Sequence, residues 1–204
     1  MILSHTHKFI FIKTKKVGGS SVENYFHQFL PDNEMIKSHH TQKDLDDGLF
    51  EHARIQDVQK ADKYNKHPQN YFVFTIVRHP MERIISEFYW SDRNGYYNGN
   101  FDTFLTNSHI RGTLNYSLII DKNGEISKNI NFIIRFENLI NELNMVLSIL
   151  RMSTVRPNDL PKEKSGYRKD KRPWYEFMNS DQVNYIYNNF QKELEIHRQL
   201  GYRV

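Results

Sequence analysis

Twice in this chain a short apolar run without a charged side chain stops at a basic loop and gives way to apolar residues at helical spacing. The first run is Phe9 to Ile12, ended by Lys13-Thr14-Lys15-Lys16-Val17-Gly18-Gly19-Ser20-Ser21. Beyond it Val22, Tyr25, Phe26, Phe29 and Leu30 recur at i, i+3, i+4, i+7 and i+8 until Pro31. The second run is Tyr71 to Val77, stopped by Arg78-His79-Pro80; Pro80 suits the first turn of a helix carrying Ile84, Ile85, Phe88 and Tyr89 on one face. A run with no polar face needs cover on both sides, which is the condition of a strand inside a parallel sheet flanked by helices.

A third run, Asn131 to Arg135, precedes a helical stripe of Leu139, Leu143, Val146, Leu147 and Leu150, and a last helix is expected from about Ser180, capped by Ser180 or Asn179. Residues 91–115, rich in Asn, Asp, Gly, Ser and Tyr, read as irregular, 118–126 as a small hairpin and 157–173 as a loop. The alternation predicts an α/β class: a three-layer, P-loop-like fold with a central parallel sheet, built as a single domain over residues 1–204.

Composition narrows the chemistry. The chain has no cysteine, so disulfides, thiolate catalysis and Cys-based zinc sites are excluded. No apolar run approaches the ~18 residues of a membrane span, and the expectation is a cytoplasmic protein without an anchor. A net charge of +4 is a mild excess that does not establish nucleic-acid binding.

In such folds ligands bind beyond the carboxyl ends of the strands, where both basic loops lie. A strand-to-helix loop offers unpaired amides at the positive end of the helix dipole, a natural phosphate site. Gly18 and Gly19 let the backbone approach an anion, Ser20 and Ser21 add hydroxyls, and Lys16 supplies a mobile charge. The nucleotide P-loop places its lysine after the glycines, whereas here Lys16 precedes them, which disfavours a kinase or ATPase. Arg78 could pair with a phosphate in bidentate fashion, with Ser86 eight positions further along and able to turn back toward the same ligand, and the spacing equally allows an ion pair with Glu82.

Taken together, these segments resemble the PAPS-dependent sulfotransferases (PAPS is 3′-phosphoadenosine-5′-phosphosulfate), in the branch containing carbohydrate sulfotransferases and their bacterial relatives. Residues 9–21 look like the family's 5′-phosphosulfate loop, usually Pro-Lys-Thr-Gly-Gly-Thr-Ser. Residues 74–89 are similar to its 3′-phosphate motif, Val-Arg-x-Pro-x-x-Arg-x-x-Ser. Weaker matches follow in family order at Lys37-Ser38-His39-His40-Thr41, at Ile134-Arg135-Phe136-Glu137-Asn138-Leu139 and at Leu200-Gly201-Tyr202. Lys15 and Val17 depart from the usual Pro and Thr, so one hydroxyl near the phosphates is missing.

The resemblance implies the roles. Lys15 to Ser21 would cradle the 5′-phosphate of the donor, with Lys16 neutralising it as the leaving group, and Arg78 with Ser86 would hold the 3′-phosphate. The segment Lys164-Ser165-Gly166-Tyr167-Arg168 resembles the late basic loop that closes over the adenine and 3′-phosphate. His39 aligns as the general base, with His40, Glu23 and Glu51 as alternatives. Glu137 and Asn138 are read as capping the following helix, and Trp90, Tyr96, Tyr97 and Trp174 as lining for a sugar or phenolic acceptor. The scheme needs no metal, and its partner is a small-molecule or glycan acceptor; oligomeric state is not legible. The rival readings are a P-loop-like kinase and a non-catalytic polyanion-binding module resting on Arg168 to Arg172.

Overall fold

A computed structural model of the chain describes residues 1–36, 49–61 and 70–204. In chain order these form β1 Ile2–Ser4, β2 Phe9–Ile12, α1 Gly19–Phe26, α2 Ile55–Lys60, β3 Phe72–Val77, α3 Pro80–Ser91, α4 Phe101–Thr106 and α5 Tyr116–Ile119. They continue as β4 Phe132–Arg135, α6 Leu139–Ile149, α7 Trp174–Phe177, α8 Ser180–Asn189 and α9 Gln191–Gln199. They fall into two compact units, one of Met1–Val77 with Ser117–Glu163, the other of Arg78–Tyr116 with Lys164–Val204.

The first unit is built on a four-stranded sheet in the order β1-β2-β3-β4. Strands β2, β3 and β4 are parallel, with Phe9 opposite Phe72 and Ile12 opposite Thr75, then Phe74 opposite Phe132 and Val77 opposite Arg135. The alternation of side chains sends β1, β2 and β3 into two cores. Phe9, Phe11, Phe74 and Ile76 meet Val22, Tyr25 and Phe26 of α1 and Leu143, Val146 and Leu147 of α6. On the opposite face Ile10, Ile12 and Val73 meet Ile55 and Val58 of α2. The result is the helix–sheet–helix layering expected from the sequence, each buried large apolar side chain contributing roughly 1.5–3 kcal/mol.

The sheet is not parallel throughout. Strand β1 pairs antiparallel with β2, Ile2 opposite Phe11 and Ser4 opposite Phe9. The 118–126 hairpin reduces to one bridge between Ile120 and Ile126, because Leu118 and Ile119 belong to α5. Helix α1 stops at Phe26, four residues short of the apolar stripe, and leaves Phe29 exposed.

The second unit is helical. Met81, Ile84, Ile85 and Phe88 of α3 pack with Phe101, Phe104 and Leu105 of α4 and with Ile186, Phe190 and Leu194 near the C-terminus. The 91–115 stretch is therefore more ordered than its composition predicts: Asn100 caps α4 by accepting the Thr103 amide at 2.9 Å. The last apolar stripe is split at Phe190 into α8 and α9, and Asn179 caps α8 by accepting the Gln182 amide. Arg83 of α3 and Glu193 of α9 form an ion pair at 3.3 Å with both side chains 0% exposed. Glu193 also accepts the amides of Asn115 and Tyr116, at 3.0 and 2.8 Å. Both amides reach Oε2, while Oε1 faces Arg83 Nε in the ion pair without a hydrogen bond among the described residues, so the buried charge is offset chiefly by its partner and by these two amides.

Candidate functional site

Parallel pairing brings the carboxyl ends of β2 and β3 to one edge of the sheet, and the Thr14 hydroxyl donates to the Ile76 carbonyl there. The loop from Lys13 to Ser21 is thereby fixed at its start. Val17 then turns its side chain into the core with Phe11 and Phe74, so the valine that replaces a usual threonine serves as the anchor of the loop.

Gly18 stands at φ +76° as the cap residue of α1, and its carbonyl receives the amides of Ser21 at 3.0 Å and Val22 at 3.2 Å. A Cβ on Gly18 would lie 3.1 Å from the ring of Phe136, so both its backbone and its surroundings select glycine. The amides of Gly19 and Ser20 have no acceptor among the described residues, and the first turn of α1 carries no acidic side chain. Lys16 is half-buried at φ +62°, a left-handed conformation that is uncommon outside glycine and that clusters at functional sites. Free amides, an uncompensated helix dipole and adjoining lysines make a cradle that fits a phosphate group.

Beneath this loop lies a charged strut. The buried Lys13 ammonium donates to Glu23 of α1 and to Glu51, and Glu23 also receives the Met1 amino group. Glu23 and Glu51, alternatives to His39 as the base, are thus committed to ion pairs. Ser21 is buried, and its Oγ accepts the Glu163 amide at 3.1 Å, which leaves its hydroxyl proton to donate elsewhere.

His39 and His40 lie outside the described residues. A different imidazole, His52, donates from Nδ1 to the Lys13 carbonyl at 2.8 Å. Burial holds its pKa below the ordinary histidine range, and the charges of Lys13 and Lys15 act in the same direction. His52 is accordingly neutral at pH 7 with Nε2 as an acceptor. Nothing in its sequence context sets it apart from the other histidines.

In the second unit Arg78 follows directly on β3, and its Nη2 stands 3.9 Å from Glu82 at i+4. Ser86, one turn after Glu82 on α3, is half-buried. Of the late loop, Arg168 pairs with Glu82, while Lys164 lies over the ring of Trp90 at 5.5 Å and Tyr167 meets it edge-on at 5.0 Å. Ser165 and Gly166 are exposed, Gly166 at φ +88°.

Two readings change, one in each unit. Of the four aromatics proposed for an acceptor, Tyr97 is buried in the apolar core, Trp90 and Trp174 are half-buried, Trp174 packed against that core, and Tyr96 is 74% exposed. Asn138 makes no side-chain cap; it donates to Glu142 at 3.2 Å, and Glu142 receives the Arg135 amide at 2.6 Å. The contribution of that segment to the loop is Phe136, the ring against Gly18. Near the C-terminus Gly201, at φ +83°, ends α9, with its amide on Arg198 O and that of Tyr202 on His197 O.

A family model described as the sulfotransferase family matches residues 1–198. The chain belongs to that family, whose members are PAPS-dependent enzymes, and sulfuryl transfer is its chemistry. No curated protein matches the chain. Among the described residues no helix is long and apolar enough to cross a membrane.

Proposed function

We propose that this chain takes a sulfuryl group from PAPS and delivers it to a hydroxyl or amine of a carbohydrate acceptor. The observation that carries the reading is the conformation of the loop: left-handed Lys16 and Gly18 flanking Val17, and two amides without an acceptor at the start of α1. In the proposal the backbone of Val17 to Ser21 cradles the 5′-phosphate through the amides of Gly19 and Ser20, with Lys15 at the rim, and the Lys16 ammonium offsets the charge that develops as the sulfur–oxygen bond to that phosphate breaks. His39 takes the acceptor proton. Arg78, Ser86 and the Lys164 to Arg168 segment hold the 3′-phosphate and adenosine, which separates this donor from ATP. The carbohydrate class rests on the family branch that the sequence resembles.

The test is a thermal shift. Adenosine 3′,5′-bisphosphate is expected to raise the melting temperature well above any effect of ATP with magnesium, since a ligand that binds only the native state stabilises it. Equal stabilisation by ATP overturns the reading.

A further inference from the structure

Glu82 occupies the first turn of α3, and its two carboxylate oxygens serve different parts of the second unit. Oε1 accepts the Trp174 amide at 2.8 Å, at the start of α7. Oε2 accepts from Nη1 of Arg168 and stands 3.9 Å from Nη2 of Arg78. The rest of the Arg168 guanidinium is also anchored, Nε to the Asp170 carbonyl at 2.7 Å and Nη2 to the Arg172 carbonyl. Trp174 is held from its other side by His79, whose ring stacks on it at 5.6 Å and whose Nε2 donates to the Arg203 carbonyl at 3.0 Å. The side chains of Arg78, Glu82 and Arg168 are only 16, 20 and 15% exposed.

A carboxylate between two guanidiniums weakens their joint attraction for an anion, so electrostatics alone argues against one here. What Glu82 supplies is order. Two like charges brought to one place repel, and a long arginine in a loop loses conformational entropy when it is fixed; a shared carboxylate offsets the repulsion and fixes the geometry before ligand arrives.

We infer that Glu82 is a positioning residue for recognition of the donor's 3′-phosphate: it pins the 168–174 segment to the first turn of α3 and sets Arg168 beside Arg78. The inference rests on the reading of Arg78 as a 3′-phosphate ligand. It makes Arg168, already placed in the donor-binding segment, one grip with Arg78, and it makes the preference for a 3′-phosphorylated nucleotide depend on a residue that need not touch the nucleotide.

The experiment measures dissociation constants of adenosine 3′,5′-bisphosphate and of adenosine 5′-monophosphate at fixed ionic strength, for wild type, Glu82→Ala and Glu82→Gln. Loss of the pin is expected to weaken bisphosphate binding about tenfold in Glu82→Ala and to change monophosphate binding by less than about twofold. Glu82→Gln, which keeps an acceptor for the Trp174 amide, is expected to fall between the two proteins, and it carries the test should the alanine variant not fold. Bisphosphate binding that is unchanged or tighter in the variants makes Glu82 a mere counter-charge and overturns the inference. A wild-type protein that binds the two nucleotides equally overturns the donor reading itself, and the inference falls with it.

Discussion

The Cγ of Lys13 lies 2.9 Å from the point where a Cβ on Gly19 would stand. Lys13 is not free to yield, because its ammonium is held by Glu23 and Glu51 and the contact falls near the root of the side chain rather than at its tip. Gly19 is therefore the position at which the loop closes over its strut. Gly19→Ala is expected to destabilise the protein by about 1–3 kcal/mol, the range of overpacked sites, and to weaken nucleotide binding along with it. Chemical denaturation and calorimetry of adenosine 3′,5′-bisphosphate binding check this; an alanine variant with unchanged midpoint and affinity shows that Lys13 can move aside.

Lys16 makes a separable prediction. Its left-handed backbone is one that an L side chain adopts at a cost of about 1–2 kcal/mol and glycine adopts freely. On the proposed reading the lysine offsets that cost with the charge it brings to the leaving phosphate. Lys16→Gly is expected to leave the melting temperature the same or slightly higher and to lower turnover at least about a hundredfold, the scale of one lost transition-state donor. Lys16→Ala is expected to lose the same activity without the gain in stability. The comparison of melting temperature with turnover decides it, and full activity in either variant removes Lys16 from the chemistry.

Strands β2, β3 and β4 and helices α3 and α6 were legible because apolar runs and helical periodicity are local signals. Strand β1 was not: Ile2 to Ser4 is three residues long, and what holds it, the pairing with β2 and a bridge from Ile2 to Met35, comes from elsewhere in the chain. Helix α4 did carry a signal, Phe101, Phe104 and Leu105 at helical spacing after Asn100, but it sits among residues that favour turns. The break at Phe190 is invisible to a stripe that continues in phase through Leu194. In the candidate site the glycines and lysines of the loop could be read along the chain. The strut that fixes them could not, since Lys13 meets a glutamate 38 residues away. The Glu82 to Arg168 pair, 86 residues apart, is likewise a product of tertiary structure.

The last prediction concerns acid. Glu34 is buried and accepts four hydrogen bonds from the turn between β1 and β2: from Ser4 Oγ at 2.6 Å, Thr6 Oγ1 at 2.8 Å, and the amides of His5 and Thr6 at 3.0 and 2.8 Å. Burial pushes its pKa upward, but these donors together outweigh burial and bring it below the usual value of 4.5. A folded-state pKa below the unfolded one means that the unfolded chain binds the proton first as pH falls. The stabilisation is thus complete at neutral pH, begins to fade near pH 4.5 and is lost as pH drops through the folded pKa. Glu34→Gln removes a charged acceptor and confronts the amides with an NH2 group, so it is expected to cost roughly 1.5–3 kcal/mol at pH 7. Urea denaturation at a series of pH values should show the gap between wild type and Glu34→Gln narrowing from pH 5 downward, at about the rate that one titrating carboxyl allows. A gap that stays constant over that range assigns the loss to packing alone and removes Glu34 from the acid response.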